Sequence, residues 1–385
     1  MRPACQSDHF IARLVAEASV VCVGGVLLVC AIAANQQWID RHFLPAFFVS
    51  RHTYVLVESV IRIVIAALGL ILVLLARPRI GRFIARAPEN ALYAAIAIVL
   101  AFGASELILR QMHFSATMEE PGGIEPSRRP DPKLGWSFVP ARTGQQRIGG
   151  RLIEYAFDPA GYRVRRVEEP VDPEQPTILF TGESMIVGEG LTWDETVPAQ
   201  TGAIMGLLSA NLAVSGFASD QAYMRLQAEL PRFRRPVAIV SVFAPALFDR
   251  NLDDDRPHLG PGLFWQPPET RWRLATIAKL LVRYRSSEAI ERGMTVTREV
   301  LRATIDLART RGAIPLIVVP QFSPEDPREW ALRRRILDDA GVPYVQVELD
   351  PSWRVPGDGH PDARAAHAIA VAIAAHLQTS EHSGY

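Results

Sequence analysis

Three short blocks, far apart in the chain, carry side chains suited to nucleophilic chemistry. The first is ILFTGESMIVGEG, where a β-branched run ends at Thr181 and Gly182-Glu183-Ser184 follows. Small residues there permit a tight turn into a helix. Such a turn presents Ser184 beside a helix N-terminus, whose backbone N–H groups can hold an oxyanion. The same Gly-rich loop, Gly182–Gly190, could instead cradle a phosphate, although no P-loop Lys-Ser/Thr follows it. The second block is Asp358-Gly359-His360-Pro361. A serine hydroxyl is a poor nucleophile until a base takes its proton, and the base works best when a carboxylate fixes its tautomer. Asp358 and His360, two apart on a loop, could both reach toward Ser184; a lone loop histidine would simply be solvated. The third block is NLAVSGFASDQ, residues 211–221. The N–H of Gly216 is placed to point at the same oxyanion, unless Gly216 is only a turn glycine.

These blocks need a scaffold that brings strand ends together. From residue 176, short β-branched runs alternate with longer helical patterns. The runs are Thr177–Thr181, Asn211–Val214, Val237–Phe243, Ile314–Val319 and Tyr344–Val347, and the helical patterns lie near 193–209, 219–229, 295–311, 328–340 and 361–378. The alternation predicts a doubly wound α/β domain with a five-stranded parallel sheet and its site at the carboxyl ends of the strands. Residues 136–175 read as a small β-rich lead-in, and 111–135, rich in Pro, Gly and charge, as a linker.

The first 110 residues are different. Three apolar runs, Leu14–Ala34, Val55–Ala76 and Asn90–Leu109, are long enough to cross a bilayer. The first could be a cleaved signal peptide, but two more spans follow it and no small-residue cleavage site stands out. Arg77, Arg79, Arg82 and Arg86 lie in the connection between the second and third runs, which keeps that connection cytoplasmic. Arg41 and Arg51 in the first connection oppose this, with a weaker bias. The expected topology places the N-terminus in the cytoplasm and everything after residue 111 outside it. The three cysteines, Cys5, Cys22 and Cys30, all lie at or within the first run, so the C-terminal region offers no thiol nucleophile and no cysteine metal site. The whole chain is neutral, with 41 basic and 41 acidic residues, which argues against nucleic acid as a partner.

The order Gly-Glu-Ser, Asn-Leu-Ala-Val-Ser-Gly and Asp-Gly-His-Pro resembles the SGNH, or GDSL-like, hydrolases. Glu183 is a departure, since the family's first block is usually Gly-Asp-Ser. The segments DPKLGWSFVP (131–140) and DPAGYR (158–163) are similar to the lead-in of membrane-tethered bacterial members, and the resemblance covers roughly 130–380. It implies a flavodoxin-like α/β/α SGNH domain at 176–380. It also implies Ser184 as nucleophile, His360 as base and Asp358 as its orienting acid, with the N–H groups of Ser184 and Gly216 as oxyanion donors. No cofactor and no metal are implied. The family's third block usually supplies an Asn side chain to the oxyanion, but here FAPALFDRN (243–251) puts Pro245 or Ala246 at that place. Losing one such donor costs about 10²–10³ in rate. Asn251 or another group substitutes, or the enzyme is slow, or activity is lost; Asn251 could also simply cap a turn.

The expected protein is therefore a multi-pass protein of the bacterial inner membrane, with a three-helix anchor (1–110) and a periplasmic catalytic domain. It would be a serine esterase or O-acyltransferase acting on acyl esters of cell-envelope carbohydrate or lipid. Its partners would be the lipid bilayer and the ester substrate, with envelope-polysaccharide machinery a candidate. The alternative is a catalytically weak or inactive SGNH-fold binding or assembly module. A nucleotide binder using the Gly182–Gly190 loop would give His360 no role. Glu183, Asn251 and Trp265 are candidate substrate contacts. The stretch 270–285 could lie on lipid as a basic amphipathic helix or pack on the domain. Asp253–Asp255 reads as an exposed acidic loop.

Overall fold

The computed structural model describes residues 4–34, 38, 42, 51–111, 125–269, 272–275, 284–322, 324–325 and 327–382. The chain divides into two compact units. One comprises Met1–Pro45, Val49–Phe114 and Arg271–Arg285, the other Ala46–Phe48, Ser115–Thr270 and Ser286–Tyr385.

The first unit is helical: α1 (Ala4–Ala33), α2 (Arg51–Ile71), α3 (Arg77–Arg86) and α4 (Pro88–Gln111), with a single π turn, Leu72–Ala76, joining α2 to α3. Three stretches are long and apolar enough to cross a membrane: Phe10–Ala33, Val55–Arg86 and Leu92–Arg110. The arginine-rich connection is helical up to Arg86, where a loop was expected, because its proline falls at the start of α3, where its missing N–H costs nothing. α1 runs antiparallel to α2 and α3, tied about every two helical turns. Arg77 Nε donates to Glu17 at 3.1 Å, Arg62 Nε donates to the Ala31 carbonyl at 3.2 Å, and midway Gly24 meets Gly69. A Cβ added to either glycine would lie 2.9 Å from the other's carbonyl oxygen, so the two backbones touch. Small residues at such a contact let apolar helices pack by close approach. Of the stretch 270–285, Arg271–Arg285 belongs with this unit and not with the second. The N–H groups of Arg273 and Leu274 donate to the Glu106 carboxylate at 2.9 and 3.0 Å. Its middle, 276–283, lies outside the described residues.

The second unit is built on one large sheet. Its strands are β1 (Arg128–Asp131), β2 (Gly135–Phe138), β3 (Arg142–Ile148), β4 (Arg151–Phe157), β5 (Arg163–Val164), β6 (Pro176–Thr181), β7 (Leu208–Asn211), β8 (Arg235–Val242), β9 (His258–Leu259), β10 (Trp265–Gln266), β11 (Ile314–Gln321) and β12 (Val345–Glu348). The large sheet has eight strands in the order β12-β11-β8-β6-β7-β5-β4-β3, while β1-β2 and β9-β10 form small hairpins. This corrects the expected sheet of five parallel strands. The five strands β12-β11-β8-β6-β7 do pair in parallel, but β5, β4 and β3 continue the sheet antiparallel from β7. The lead-in strands thus cover an edge that the parallel strands alone would leave unpaired. Within the parallel part, the order 2-1-3-4-5 is that of flavodoxin-like folds, with the switch point between β6 and β8.

The helices are α5 (Ser184–Val187), α6 (Val197–Met205), α7 (Ser219–Glu229), α8 (Ser287–Thr310), α9 (Pro327–Arg333) and α10 (Ala363–His382). The sheet's side chains alternate between two cores. Ile178 and Phe180 join Ile369, Ile373 and Leu377 of α10, whereas Leu179 joins Leu226 of α7 and Ala308 of α8. Helices therefore cover both faces, and the carboxyl ends of β6, β7 and β8 open at one edge.

Candidate active site

β6 ends at Thr181, and Gly182 and Glu183 turn the chain into the one-turn helix α5, which begins at Ser184. Glu183 is the N-cap; its Oε1 accepts from the Met185 N–H at 3.2 Å. An acidic cap suits the positive end of a helix. The other end of α5 is held by two side chains from the β5–β7 pair, which face each other in register as Arg163 and Asn211. Asn211 Nδ2 donates to the Ile186 carbonyl at 2.7 Å. Arg163, fully buried, donates to the carbonyls of Val187, Gly188 (2.7 Å) and Leu191 (2.6 Å), and its guanidinium lies 4.5 Å from the Tyr155 ring centroid. Burial lowers the Arg163 pKa to about 10, which leaves it charged at neutral pH. A cation on the last carbonyls of α5 fixes the helix whose first residue is Ser184.

The opposing group comes from the loop between β12 and α10. This loop is closed on itself: Val355 N–H donates to the His360 carbonyl at 2.7 Å, Gly359 N–H to the Val355 carbonyl at 3.1 Å, and Arg354 pairs with Pro361. Asp362 caps α10 immediately afterwards, accepting from the N–H groups of Arg364 (2.9 Å) and Ala365 (3.1 Å). Val355 is also wedged between the β3–β4 turn and the loop after α5. A Cβ on Gly149 would lie 2.8 Å from one Val355 methyl, and a Cβ on Gly190 2.9 Å from the other.

Across the sheet edge the blocks meet. His360 Nε2 lies 2.8 Å from Ser184 Oγ, over a sequence separation of 176 residues. His360 Nδ1 is hydrogen-bonded to Asp358 Oδ1, which also accepts the His360 N–H at 3.2 Å. Ser184 and His360 are both buried, at 4% and 8% exposure, so little solvent screens them. With Nδ1–H committed to Asp358, Nε2 of the neutral ring is a lone pair aimed at the hydroxyl.

Two further carboxylates face this pair. Ser184 Oγ is hydrogen-bonded to Glu183 Oε2, and Glu189 Oε2 lies 3.4 Å from His360 Nε2. The serine hydroxyl carries one proton and so can donate to Glu183 or to His360, not to both. For both contacts to be hydrogen bonds, one extra proton must reside in the network. Burial alone would lower the His360 pKa, but the Asp358 hydrogen bond and the charges of Glu189, Asp358 and Glu183 outweigh it and raise the value. For Asp358 the balance runs the other way: burial would raise its pKa, but the hydrogen bond and charge of His360 bring it below the usual range. A raised His360 pKa means that the imidazole holds its proton to higher pH than a free histidine and must be neutral before it can act as a base.

The remaining predicted residues fall as follows. Gly216 lies beyond the carboxyl end of β7, exposed and left-handed (φ 78°). Glu183, expected as a substrate contact, is spent on Ser184, Met185 and Arg250, whose Nη1 donates to it at 3.2 Å. Asn251 is not at the oxyanion position either. It is buried, donating to Ser219 Oγ at 2.7 Å and Thr297 Oγ1 at 2.6 Å. Trp265 is 48% exposed on β10, with its Nε1 donating to the Lys133 carbonyl at 3.1 Å. Asp253–Asp255 are half-buried, not exposed. Among the described residues, no three His, Cys, Asp or Glu side chains gather as a metal site. Arg163, Asn211, Glu189 and Arg250 are contacts that sequence reasoning missed.

No family model and no curated protein matches the sequence. Solved structures do. A GDSL-like lipase from Bacteroides thetaiotaomicron is similar over 55% of this chain and 91% of its own, at 14% identity and a TM-score of 0.34. An acetyl xylan esterase from the rumen bacterium Butyrivibrio proteoclasticus is similar over 56% of this chain and 66% of its own, at 12% identity and a TM-score of 0.34. A salicylyl-acyltransferase from a tetracycline biosynthetic pathway is similar over 55% of this chain and 57% of its own, at 17% identity and a TM-score of 0.30. These structural neighbours are a lipase, an esterase and an acyltransferase.

Proposed function

We propose that this protein is a membrane-anchored serine esterase or O-acyltransferase whose substrate is an acyl ester of carbohydrate or lipid outside the cytoplasm. The observation that carries the proposal is the Ser184 Oγ–His360 Nε2 contact of 2.8 Å, with Asp358 on the far ring nitrogen. In the reaction Ser184 Oγ attacks the acyl carbonyl while His360 Nε2 takes its proton. The carbonyl electron pair moves onto oxygen, held by the N–H groups of Ser184 and Gly216. The pair then returns, the alcohol leaves with the proton from His360, and an acyl-serine remains. Water or a sugar hydroxyl, deprotonated by the same imidazole, takes the acyl group and restores the serine.

The full-length chain in detergent, assayed on acetyl esters beside Ser184→Ala and His360→Ala, tests this. A drop of about 10³-fold or more in each variant is expected; equal rates in all three would end it. The missing third-block Asn favours a second reading, a non-catalytic binding module on the same scaffold. A fluorophosphonate probe separates the two, since only an activated Ser184 is labelled. An extracytoplasmic location predicts that alkaline phosphatase fused after Tyr385 is active, and inactive when fused within Arg79–Arg86.

A further inference from the structure

In the proposed acyl transfer the backbone N–H groups at the Ser184 turn and the Gly216 turn meet the developing oxyanion. The segment after β8, Pro245–Leu252, has no side-chain donor at its start, where Pro245 stands. Its third-from-last residue is Arg250. Arg250 Nη1 donates to Glu183 Oε2 at 3.2 Å and to the Phe217 carbonyl at 3.1 Å. Glu183 immediately precedes Ser184, and Phe217 immediately follows Gly216. The guanidinium is therefore lodged between the two turns that carry the backbone donors. Its side chain is 23% exposed, so a bound substrate can reach it. Both contacts use Nη1 alone, whereas a guanidinium carries five N–H donors in a fixed fork.

The backbone behind Arg250 is pinned. Its carbonyl accepts from Arg256 Nη2 at 2.8 Å. Arg256 in turn makes a two-pronged pair with Asp220, at 3.0 and 3.1 Å, with both side chains at most 3% exposed. The next residue, Asn251, is tied to Ser219 and Thr297. A donor held this way needs no reorganisation when charge develops, which is what makes an oxyanion pocket effective.

We infer that Arg250 completes the oxyanion pocket of Ser184, in the place where the family's third block supplies an Asn. The inference rests on the proposed serine acyl transfer. As Ser184 Oγ bonds to the carbonyl carbon, the electron pair moves to oxygen and is met by an Arg250 N–H beside those of Ser184 and Gly216. No proton leaves Arg250, which stays charged throughout. A cationic donor is stronger than a neutral amide, and the charge of Glu183 beside it tempers the difference.

The test is hydrolysis of p-nitrophenyl acetate by the full-length protein in detergent, comparing wild type with Ser184→Ala, Arg250→Gln, Arg250→Lys and Arg250→Ala. Arg250→Gln is expected to lose about 10²–10³ in kcat with KM little changed. Arg250→Lys keeps the charge opposite Glu183 but not the fork, and is expected to lose about tenfold. Guanidinium ion added to Arg250→Ala should restore part of the rate, and a trifluoromethyl ketone inhibitor should weaken in step with kcat/KM. Full kcat in Arg250→Gln or Arg250→Lys, a loss confined to KM, or a folded Arg250→Ala that guanidinium does not rescue overturns the inference while leaving the serine reading intact. A wild type no faster than Ser184→Ala overturns both.

Discussion

Ser184 Oγ sits between a carboxylate and an imidazole, and this makes the site's protonation its first control. His360 must be neutral to accept the serine proton, and its pKa is raised above the ordinary 6.5 by Asp358, Glu189 and Glu183 against the effect of burial. The sign follows: a raised base pKa moves the acidic limb of kcat/KM to higher pH. Activity should fall as pH drops through the raised His360 pKa, and Glu189→Gln, which removes one of the charges facing Nε2, should move the limb to lower pH. An unchanged limb in a pH–rate profile would mean that Glu189 does not act on His360. Arg163 is the second residue whose effect can be stated. Arg163→Met leaves three carbonyls at the end of α5 without their cation. It is expected to lower stability by about 3 kcal/mol, read by denaturant melting, and to lower kcat by loosening Ser184. Ser184, Asp358 and His360 were legible because each lies in a compact block at a strand or helix boundary. Arg163, Asn211 and Arg250 were not, because each acts on a backbone carbonyl or carboxylate far away in the chain, and no spacing encodes that contact.

At the scale of elements, the His360 loop is positioned by packing as much as by hydrogen bonds. Gly190 has φ 79°, and a Cβ there would press on Val355 at 2.9 Å. Gly190→Ala is therefore expected to shift the loop carrying His360 and to cut kcat by about tenfold or more, since a displacement of about 1 Å can cost 10²-fold. Fluorophosphonate labelling rates would show this with the fold intact by circular dichroism. In the anchor, Gly69→Ile should separate α1 from α2, lowering the melting temperature of the detergent-solubilised protein without changing the catalytic unit's chemistry. The five parallel strands were readable from β-branched runs, although β7 ends at Asn211 where the run was expected to begin, and the five helical patterns lie close to α6, α7, α8, α9 and α10. The antiparallel continuation through β5, β4 and β3 was not readable, because β5 is only two residues long and its partner β7 is set by tertiary pairing. The extension of the second span through Arg86 was hidden by charge, since arginines that ended the apolar run did not end the helix.

For the whole molecule, the chain passes between its two units more than once. Beyond the short passage at Ala46–Phe48, it enters the second unit after Phe114, leaves it after Thr270 and re-enters at Ser286. Glu106, near the end of α4, receives the N–H groups of Arg273 and Leu274 in the returning segment. Severing the protein within 112–124, with a protease site inserted there, should therefore leave the severed half in the membrane pellet, while adding Glu106→Ala should let more of it into the supernatant. A soluble fragment begun at residue 125 would carry Trp272 and Tyr284 away from their usual surroundings, and would stick to detergent, lipid or its own copies. The returning segment Arg271–Arg285 is thus a second mooring to the helical unit that no truncation at the linker can cast off.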